Sequence, residues 1–416
     1  MRGHRSGLPV AVAIAVVTAG AATFLVRPRS GLIEPAPASE QAYFSQSELD
    51  RSRDYSGPQR ALGLAGLAVT GGALGLIALR PPRRVRRALE RAGARPILGA
   101  AAAGAGISVA LVVVTLPLAA ARHSRAEEFG LSTQTWGAWA GDVGKATGVE
   151  AVLAAGGAAI LIGIMRRFPR NWWAPASAAV VALSVAFLWL APVAIDPLFN
   201  KFTPLPEGKL RAEVLELAER SGVEVGEVYR IDASRRTTGA NAYVGGLGHT
   251  KRVVLYDNLI EDFSPAEVRS VVAHELGHVK HDDVPMGLLW VAIVAPGALF
   301  LAQRLTERLA PEGLEGGRDG RAGPAALPAA ALSLALVSFT LGVVGNHVSR
   351  RVEARADAYA LRLTDDPEGF VALERRLVTQ NLGDPDPPGA LVALLATHPP
   401  AMERIGFALA YERERP

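Results

Sequence analysis

Long stretches without a charged residue constrain this chain more than any other feature of its sequence. Seven such blocks interrupt its 416 residues, at 6–26, 61–79, 96–121, 151–165, 171–195, 284–303 and 322–349. An α-helix needs about 20 apolar residues to cross the hydrocarbon core of a bilayer. Six blocks reach that length, and the fourth reaches it if its helix extends across Glu150 to Thr147. The pattern therefore predicts a polytopic, mainly α-helical membrane protein with about seven transmembrane helices.

The first block has a second interpretation, as a cleaved signal peptide. Arg2 and Arg5 precede its apolar core, and residues 19–21 read AGA, which is similar to a cleavage site. The apolar run continues to Val26, beyond the length of most such cores. We therefore favour a retained span, with the signal peptide as the alternative.

Two polar segments lie outside the apolar blocks, at 196–283 and 350–416, and hold 88 and 67 residues. Together they are long enough for one small globular domain. We predict a membrane domain over 1–195, with spans at 6–26, 61–79, 96–121, 147–165 and 171–195. The polar domain then has two parts, and a hairpin of two further spans at 284–349 separates them.

The chain contains no cysteine, which excludes disulfides, cysteine-ligated zinc, iron–sulfur clusters and thiol nucleophiles. Any bound metal must therefore be held by histidines and carboxylates. Of the 44 basic residues 39 are arginines, and they cluster beside the apolar blocks, so no nucleic-acid partner is expected. The glycine-rich residues 245–248 lack the lysine of a phosphate loop and are interpreted as a turn, so no nucleotide is expected.

Residues 274–278 read HELGH and carry the chemistry of the chain. Residues 264–267, SPAE, form a capping box with proline at the first helical position, which predicts a helix from there to about Asp283. Residues four apart share one helical face, so His274 and His278 can hold one metal ion. Glu275 is rotated by about 100° and lies beside that ion. This is the H-E-x-x-H arrangement of zinc sites. The alternative is that both histidines lie on the protein surface and bind no metal.

A catalytic zinc site needs a third protein ligand and an open position for water. His281 is excluded, because it lies about 10.5 Å from His274 along the helix axis and an ion binds at about 2 Å. The better candidate is a stripe of 4-3-4 spacing after the last apolar block, formed by Asn346, Arg350, Glu353 and Asp357. Glu353 is predicted as the ligand, and Asp357 as the residue that orients a ligand histidine or the water. A salt-bridged surface face is the alternative.

Three short strands are predicted before the metal helix, at 228–232, 242–244 and 253–256. An exposed edge among them can bind a polypeptide substrate by adding it to the sheet as a strand. Asn241, Ala242 and Tyr243 are the predicted substrate-binding residues.

Six sequence words follow one another in the second half of the chain: PLFNKFTPL at 197–205, NAYVGGLG at 241–248, HELGH at 274–278, NHVSRRVEARAD at 346–357, HPP at 398–400 and ERI at 403–405. In this order they resemble the integral-membrane zinc metalloproteases of the type I CAAX prenyl protease family. The resemblance implies a ring of seven helices around an internal chamber, and a small α/β domain of the zincin (gluzincin) type.

The same resemblance implies a ligand set and an active site. One zinc ion per chain would be held by His274, His278 and Glu353. The carboxylate of Glu275 would be catalytic, Asp357 would belong to the active site, and His398 would lie near the reacting carbonyl. We also expect three polar residues to contact the ligand residues rather than the metal itself: Asn346, Arg350 and Arg404.

The arginine bias predicts how the spans are oriented. With seven spans, the N-terminus and the connections 80–95, 166–170 and 304–321 share one side and carry 16 basic residues, against eight in segments 27–60 and 122–145. The positive-inside rule places the first group in the cytoplasm and the polar domain outside. The family resemblance implies a cytosolic catalytic domain instead. The orientation from the positive-inside rule and the one that the resemblance implies agree only if one span, the short fourth, is removed from the count.

The sequence therefore predicts a multi-pass zinc endopeptidase of a bacterial cell membrane, in which Glu275 is the general base for a metal-activated water. His398 would stabilise the oxyanion, and the substrates are expected to be membrane-associated or lipidated polypeptides. Two alternatives are a membrane sensor whose zinc domain cleaves only itself or nothing, and a transporter with a structural zinc site. A structural site would need a fourth protein ligand, whereas a glutamate beside the first histidine suits catalysis.

Overall fold

A computed structural model describes residues 7–245, 251–314 and 319–415 of the chain. The predicted glycine turn at 245–248 lies largely outside the described residues. The described α-helices, in chain order, are α1 Gly7–Val26, α2 Glu40–Tyr43, α3 Gln46–Leu79, α4 Arg83–Ala92, α5 Pro96–Glu128, α6 Trp136–Arg167, α7 Trp173–Leu190, α8 Asp196–Phe199, α9 Lys209–Ser221, α10 Asp257–Asp262, α11 Pro265–Lys280, α12 Asp283–Leu309, α13 Leu327–Thr364, α14 Pro367–Asn381, α15 Gly389–Leu395 and α16 Ala401–Glu414. A π-helix, Ala191–Ile195, joins α7 to α8, and short 3-10 turns occupy Ala233–Arg235, Glu312–Leu314 and Pro324–Ala326.

Seven helical segments of the described chain are long and apolar enough to cross a membrane, which confirms the predicted multi-pass, mainly α-helical architecture. They are α1, α3, α5, α6, α7 together with α8, α12, and α13 with the turn before it. An apolar cavity of about 460 Å³ lies between six of these helices, α3, α5, α6, α7, α12 and α13. The first span packs on α12, where a Cβ at Gly297 would come within 3.1 Å of Ala15 Cα.

The fourth span is longer than the sequence pattern indicates. It is the 32-residue helix α6, which continues through the charged residues Asp142, Lys145 and Glu150. Asp142 accepts a hydrogen bond of 2.7 Å from Arg236, a residue of the polar domain. The N-terminal part of α6 therefore extends beyond the apolar block and reaches the polar domain through Asp142. No span is removed from the count of seven.

A four-stranded sheet organises the first part of the polar domain. Its strands are β1 Phe202–Pro204, β2 Glu227–Ile231, β3 Ala242–Gly245 and β4 Arg252–Tyr256, in the order β1-β2-β4-β3. Strands β2 and β4 are parallel, and the two outer pairs are antiparallel. The three predicted strands are present, and β1 is an additional one within the word at 197–205. One core joins this sheet to α9 and α11 through buried Val214, Leu255 and Leu276.

The polar domain sits at one end of the helix bundle. The segment after α1 reaches it through Ala36, whose backbone N–H donates to the carbonyl of Gly406 at 2.9 Å. The connection between α5 and α6 reaches it through Thr133, whose hydroxyl donates to the carbonyl of Ser234 at 2.7 Å. The connections 27–45 and 129–135 therefore share the end of the bundle that carries the HELGH helix.

The arginine-rich connections meet at the opposite end. Arg166 pairs with Asp319 at 2.5 Å, so the connection after α6 contacts the connection after α12. Gln303 donates to the carbonyl of Arg170 at 2.8 Å in the same region. Gly7, the first residue of α1, lies beside the side chain of Arg304. The structure thus separates the arginine-rich connections from the polar domain by the full length of the spans.

Close packing of α5 on α6 depends on one glycine. A Cβ at Gly104 would lie 2.5 Å from the carbonyl oxygen of Ala154 and 2.6 Å from Cβ of Ala158. Gly106, two residues further along α5, has open space in the direction of its Cβ. We expect Gly104→Ala to lower the free energy of unfolding by about 1–3 kcal/mol, because it overpacks this contact. The thermal unfolding midpoint of the detergent-solubilised protein would measure the loss.

Gly106→Ala is the matched control. It makes the same change on the same helix without a steric clash, so its unfolding midpoint should equal or slightly exceed that of the wild type. Equal midpoints for the two variants would contradict the close α5–α6 contact.

A candidate metal centre

Helices α11 and α13 bring the three predicted ligands together. One atom from each of His274, His278 and Glu353 lies within 4.8 Å of the other two. The Nε2 atoms of the histidines are 3.1 Å apart, near the spacing of about 3.3 Å expected for two nitrogens bound at 2.0–2.1 Å to one tetrahedral ion. Oε2 of Glu353 is 3.2 Å from Nε2 of His274, and Oε1 is 3.7 Å from Nε2 of His278. The three side chains converge on one point.

A glycine within HELGH makes this convergence possible. A Cβ at Gly277 would lie 3.2 Å from Cα of Ala356 and 3.2 Å from the ring of Tyr359. The backbones of α11 and α13 therefore cross closely, with small residues on both sides of the crossing. Glu353 lies one turn of α13 before this contact, so its carboxylate reaches the two histidines. A larger residue at position 277 would push α13 away from them.

Each histidine is oriented by a carboxylate on its other ring nitrogen. Nδ1 of His274 is 2.7 Å from Oδ1 of Asp357, and Nδ1 of His278 is 2.9 Å from Oδ2 of Asp283. A carboxylate at Nδ1 holds the proton there and turns the lone pair of Nε2 toward the convergence point. Asp357 is the predicted orienting residue. Sequence reasoning assigned no role to Asp283, whose only signal is its position three residues after the end of the metal helix α11.

The donor atoms fit a divalent cation. With both Nδ1 atoms protonated, the two Nε2 atoms and the carboxylate of Glu353 face one another as acceptors. Oε2 of Glu353 is buried and has no hydrogen-bond partner among the described residues. Acceptors that face each other at these distances need a cation between them, either a proton on Nε2 or a metal ion that replaces it. Two imidazoles and one carboxylate are the ligand types of a catalytic zinc site, and they leave one position open.

Metal binding at His274 is coupled to the release of a proton from its imidazole ring. Burial lowers the pKa of the His274 imidazole, but the charge of Asp357 and its hydrogen bond outweigh burial and raise the pKa to about 10. A metal ion at Nε2 must therefore displace a proton at neutral pH. Metal affinity should fall as the pH is lowered.

A buried ionic cluster supports Asp357. Arg404 donates to both of its carboxylate oxygens, at 2.8 and 2.6 Å, in a bidentate pair. The same guanidinium lies 2.8 Å from Glu374, a buried residue of α14 that the sequence analysis did not single out. Burial raises the pKa of Glu374 to about 7, since it outweighs the lowering effect of Arg404, and the charge of Asp357 raises it further. Arg404 thus contacts Asp357, the residue that orients His274, rather than one of the three ligand residues.

Glu275 lies beside the three ligands and is not one of them. Burial raises the pKa of its carboxyl, whereas the neighbouring histidines lower it. A hydrogen bond from the backbone of Val244 also lowers this pKa, which places the carboxylate next to β3. A carboxylate with a raised pKa at this position is suited to accept and return a proton.

Strand β3 forms an edge of the sheet beside α11. Asn241 precedes it and is exposed, and Ala242 is 2% exposed with its side chain in the domain core. Tyr243 is partly exposed, and burial raises its pKa to about 12, which keeps its phenol protonated. Of the three predicted substrate-binding residues, Ala242 can therefore offer only its backbone to a bound peptide.

His398 approaches the same ligands from the segment before α16. Its Nε2 is 3.4 Å from Oε2 of Glu353, and its side chain is 62% exposed. Burial against the site lowers its pKa, despite the opposing charge of Glu353. The histidine therefore faces the convergence point and solvent at once.

Asn346 and Arg350 have a different environment from the one expected. Asn346 donates to the carbonyl of Leu394 at 3.0 Å, and Arg350 donates to those of Val392 and Ala396 at 2.8 and 2.7 Å. Their hydrogen bonds in the described chain lead to α15 and not to the ligand residues. Both side chains hold the segment that leads to His398.

Comparison with known proteins reveals extensive similarity. Residues 204–412 match the family described as peptidase family M48, and residues 32–201 match the "CAAX prenyl protease N-terminal, five membrane helices" domain. The "uncharacterized metalloprotease YhfN" of Bacillus subtilis is 31% identical over 73% of this chain and 71% of its own length. A CAAX prenyl protease 1 homolog of Arabidopsis thaliana is 35% identical, over 54% of this chain but only about half, 52%, of its own length.

The crystal structure of S. mikatae Ste24p has the same fold. It superposes with a TM-score of 0.77 and covers 96% of this chain and 98% of its own, at 21% identity. The similarity thus extends over the membrane helices as well as the polar domain.

Metal content should distinguish a ligand from an orienting residue. We expect Glu353→Ala to lose the metal, since it removes one of three ligands. Asp283→Asn should retain the site but bind metal about 10–100-fold more weakly, because it weakens the orientation of His278. Titration of the metal-free protein with zinc would give both affinities. Asp282→Asn, which alters the exposed neighbouring carboxylate, is the control and should bind as the wild type does. Equal affinities for the variants at 282 and 283 would remove Asp283 from the site.

The raised pKa of Glu374 predicts a pH dependence of stability. The folded protein holds this proton more tightly than the unfolded chain, in which the pKa is near 4.5. Its contribution to the free energy of unfolding is therefore complete below about pH 4.5 and is lost as the pH rises through about 7. Glu374→Gln should flatten the fall of the unfolding midpoint between pH 5 and 8. Glu368→Gln, an exposed change on the same helix, should keep the wild-type slope. An unchanged slope in Glu374→Gln would contradict the assignment.

Proposed function

The chain belongs to peptidase family M48 and is a membrane metalloendopeptidase, and we propose that its metal centre binds zinc through His274, His278 and Glu353. The observation that carries the proposal is the convergence of two Nε2 atoms and a buried carboxylate within 4.8 Å. Three ligands, and no fourth in that group among the described residues, suit a catalytic rather than a structural site. We propose one zinc ion per chain.

Zinc held by these residues would supply a Lewis acid for the scissile carbonyl and would lower the pKa of a bound water toward about 7. The protein's own part begins with the orienting carboxylates. Asp357 and Asp283 hold the Nδ1 atoms of His274 and His278, so that metal binding takes place at the two Nε2 atoms, where it displaces the second ring proton of His274. Arg404 keeps Asp357 in place through its bidentate pair.

Glu275 is the general base in this proposal. Its position beside the ligands and next to β3 lets it take the proton of the attacking water, and its raised pKa favours transfer of that proton to the leaving amine. His398, 3.4 Å from Glu353, is positioned to donate to the oxyanion that forms at the carbonyl carbon. Asn346 and Arg350 contribute indirectly, since they hold α15 and the segment before His398.

The substrate is a polypeptide, and we propose that it binds as an extra strand along β3. Within the described part of the chain β3 pairs only with β4, so its other edge presents backbone groups beside Glu275. Asn241 and Tyr243 flank this edge and would contact the side chains of a bound peptide. The apolar cavity between the membrane helices suits a membrane-associated or lipidated substrate. Relatives named as CAAX prenyl proteases favour the same class of substrate, and the Bacillus relative favours a bacterial cell membrane.

Glu275→Gln tests the assignment of the general base. We expect it to lower cleavage by about 10²–10⁴-fold, because no group remains to take the proton of the water. It should still bind one zinc per chain, since Glu275 is not a ligand, whereas His278→Ala should lose both zinc and cleavage. Comparison of peptides from membranes that contain the wild type or Glu275→Gln would also identify substrates. Loss of zinc in Glu275→Gln as complete as in His278→Ala would overturn the role of Glu275.

A further inference from the structure

A cavity of about 690 Å³ lies where the end of the span formed by α7 and α8 meets the polar domain. Its walls include four cationic side chains, those of Lys145, Lys201, Arg235 and Arg252. Among the described residues that line it none is acidic, and none belongs to the candidate metal centre. We call this space the cationic cavity. Its lining attracts a negatively charged ligand.

The four cations come from separate segments of the fold. Lys145 lies on α6, Lys201 lies just before β1, Arg235 ends a 3-10 turn, and Arg252 begins β4. Three of them each donate to one backbone carbonyl between residues 192 and 199, at 3.4, 3.3 and 3.1 Å. These bonds hold the side chains around the end of the span. A guanidinium has five N–H donors and an ammonium three, so most donors remain for a ligand.

The charges of the cationic cavity are only partly compensated. Lys145 pairs with Asp142 at 2.9 Å, and Arg235 pairs with Asp232 at 3.2 Å. The other two cations form no ion pair within the described part of the chain. Two positive charges of the lining are therefore left without a carboxylate at ion-pair distance.

One side of the cationic cavity continues into the surface that the span presents to lipid. Val193 and Leu198 line the cavity and are exposed, and Trp189 and Leu190 are exposed on the preceding turn. Tryptophan is enriched where a span meets the headgroup region. The cavity thus combines a cationic wall on the polar domain with an apolar rim on the span.

We propose that the cationic cavity binds the headgroup phosphate of one anionic phospholipid, whose acyl chains lie along the exposed residues of α7. Basic pockets beside membrane helices bind anionic headgroups, and guanidinium groups bind phosphate oxygens in bidentate fashion. A choline headgroup would bring a further cation to a cationic wall. The apolar rim favours a lipid over a soluble phosphate or an acidic peptide, either of which would leave it uncovered.

A lipid bound here would hold the end of the span against the sheet. Arg252 already joins the two, since it donates to the carbonyl of Pro192 and lies over the ring of Phe202, 4.8 Å from its centroid. A phosphate between Arg252 and Lys201 would strengthen this contact, so that anionic lipid should stabilise the folded protein. The inference depends neither on the proposed function nor on the orientation of the spans.

Lipid titration of the full-length protein in neutral detergent tests the site. We expect dioleoylphosphatidylglycerol, and not dioleoylphosphatidylcholine, to raise the unfolding midpoint. Glycerol 1-phosphate and a short polyglutamate peptide carry negative charge without acyl chains and should leave the midpoint unchanged. An equal rise with both lipids, no rise with either, or the same rise with a soluble anion overturns the proposal.

Removal of cations tests the location of the site. The combined variant K145Q/K201Q should need about 30-fold more phosphatidylglycerol for the same rise, since each cation near a membrane surface strengthens the binding of anionic lipid about fivefold. Lys201→Gln alone changes an exposed residue without an ion pair in the described chain, and should need about fivefold more. A wild-type response in both variants overturns the assignment to this cavity.

Two further combined variants are the controls. K145R/K201R keeps both charges and should keep the wild-type response, and its failure to do so would overturn the role of charge. K209Q/R413Q removes two cations from exposed positions that do not line the cavity. It should also respond as the wild type does. A loss equal to that of K145Q/K201Q would show that lipid binding follows net charge, which overturns the assignment to the cationic cavity.

Discussion

One buried carboxylate joins the four helices that build the metal centre. Asp357 of α13 is fully buried and contacts His274 of α11 and Arg404 of α16, and the guanidinium of Arg404 continues to Glu374 of α14. A buried charge is costly unless it is paired and hydrogen-bonded, and here the bidentate pair with Arg404 meets that need. The histidine then takes its orientation from a carboxylate that has no freedom to turn away. The orientation of His274 and the docking of α16 both follow from this one cluster.

Much of this arrangement could be predicted from the sequence where the cause is local. The capping box of Ser264 and Glu267 is present as predicted and fixes the start of α11, from which the shared face of His274 and His278 follows. The apolar blocks predicted the seven spans, and the longer sequence words predicted the family. The roles of Glu275, Asp357 and His398 stay predictions, although the structure brings all three to the ligands.

What the sequence did not reveal depends on contacts between distant segments. Asp283 and Glu374 carry no local signal of function, since each acquires its role from a partner on another helix, His278 or Arg404. The length of α6 was underestimated because a count of apolar residues stops at the first charge. Asp142 forms an ion pair with Arg236, 94 residues away, and no sequence pattern within α6 indicates that pair. Asn346 and Arg350 share a helical stripe with Glu353, yet α15 covers them.

The crossing of α11 and α13 at Gly277 is the point about which α13 would rotate if the far end of this helix moved. Helix α13 extends 29 residues from Ala356 back to its start at Leu327, about 44 Å, but only three residues, about 4.5 Å, separate Ala356 from Glu353. A sideways shift of 1 Å at the distant end of this rod therefore moves the ligand by only about 0.1 Å. This shift is smaller than the range of about 0.2 Å within which metal–ligand distances agree with their standard values. If α13 moves as a rigid rod about this crossing, a bilayer fluctuation at its far end is reduced about tenfold at Glu353.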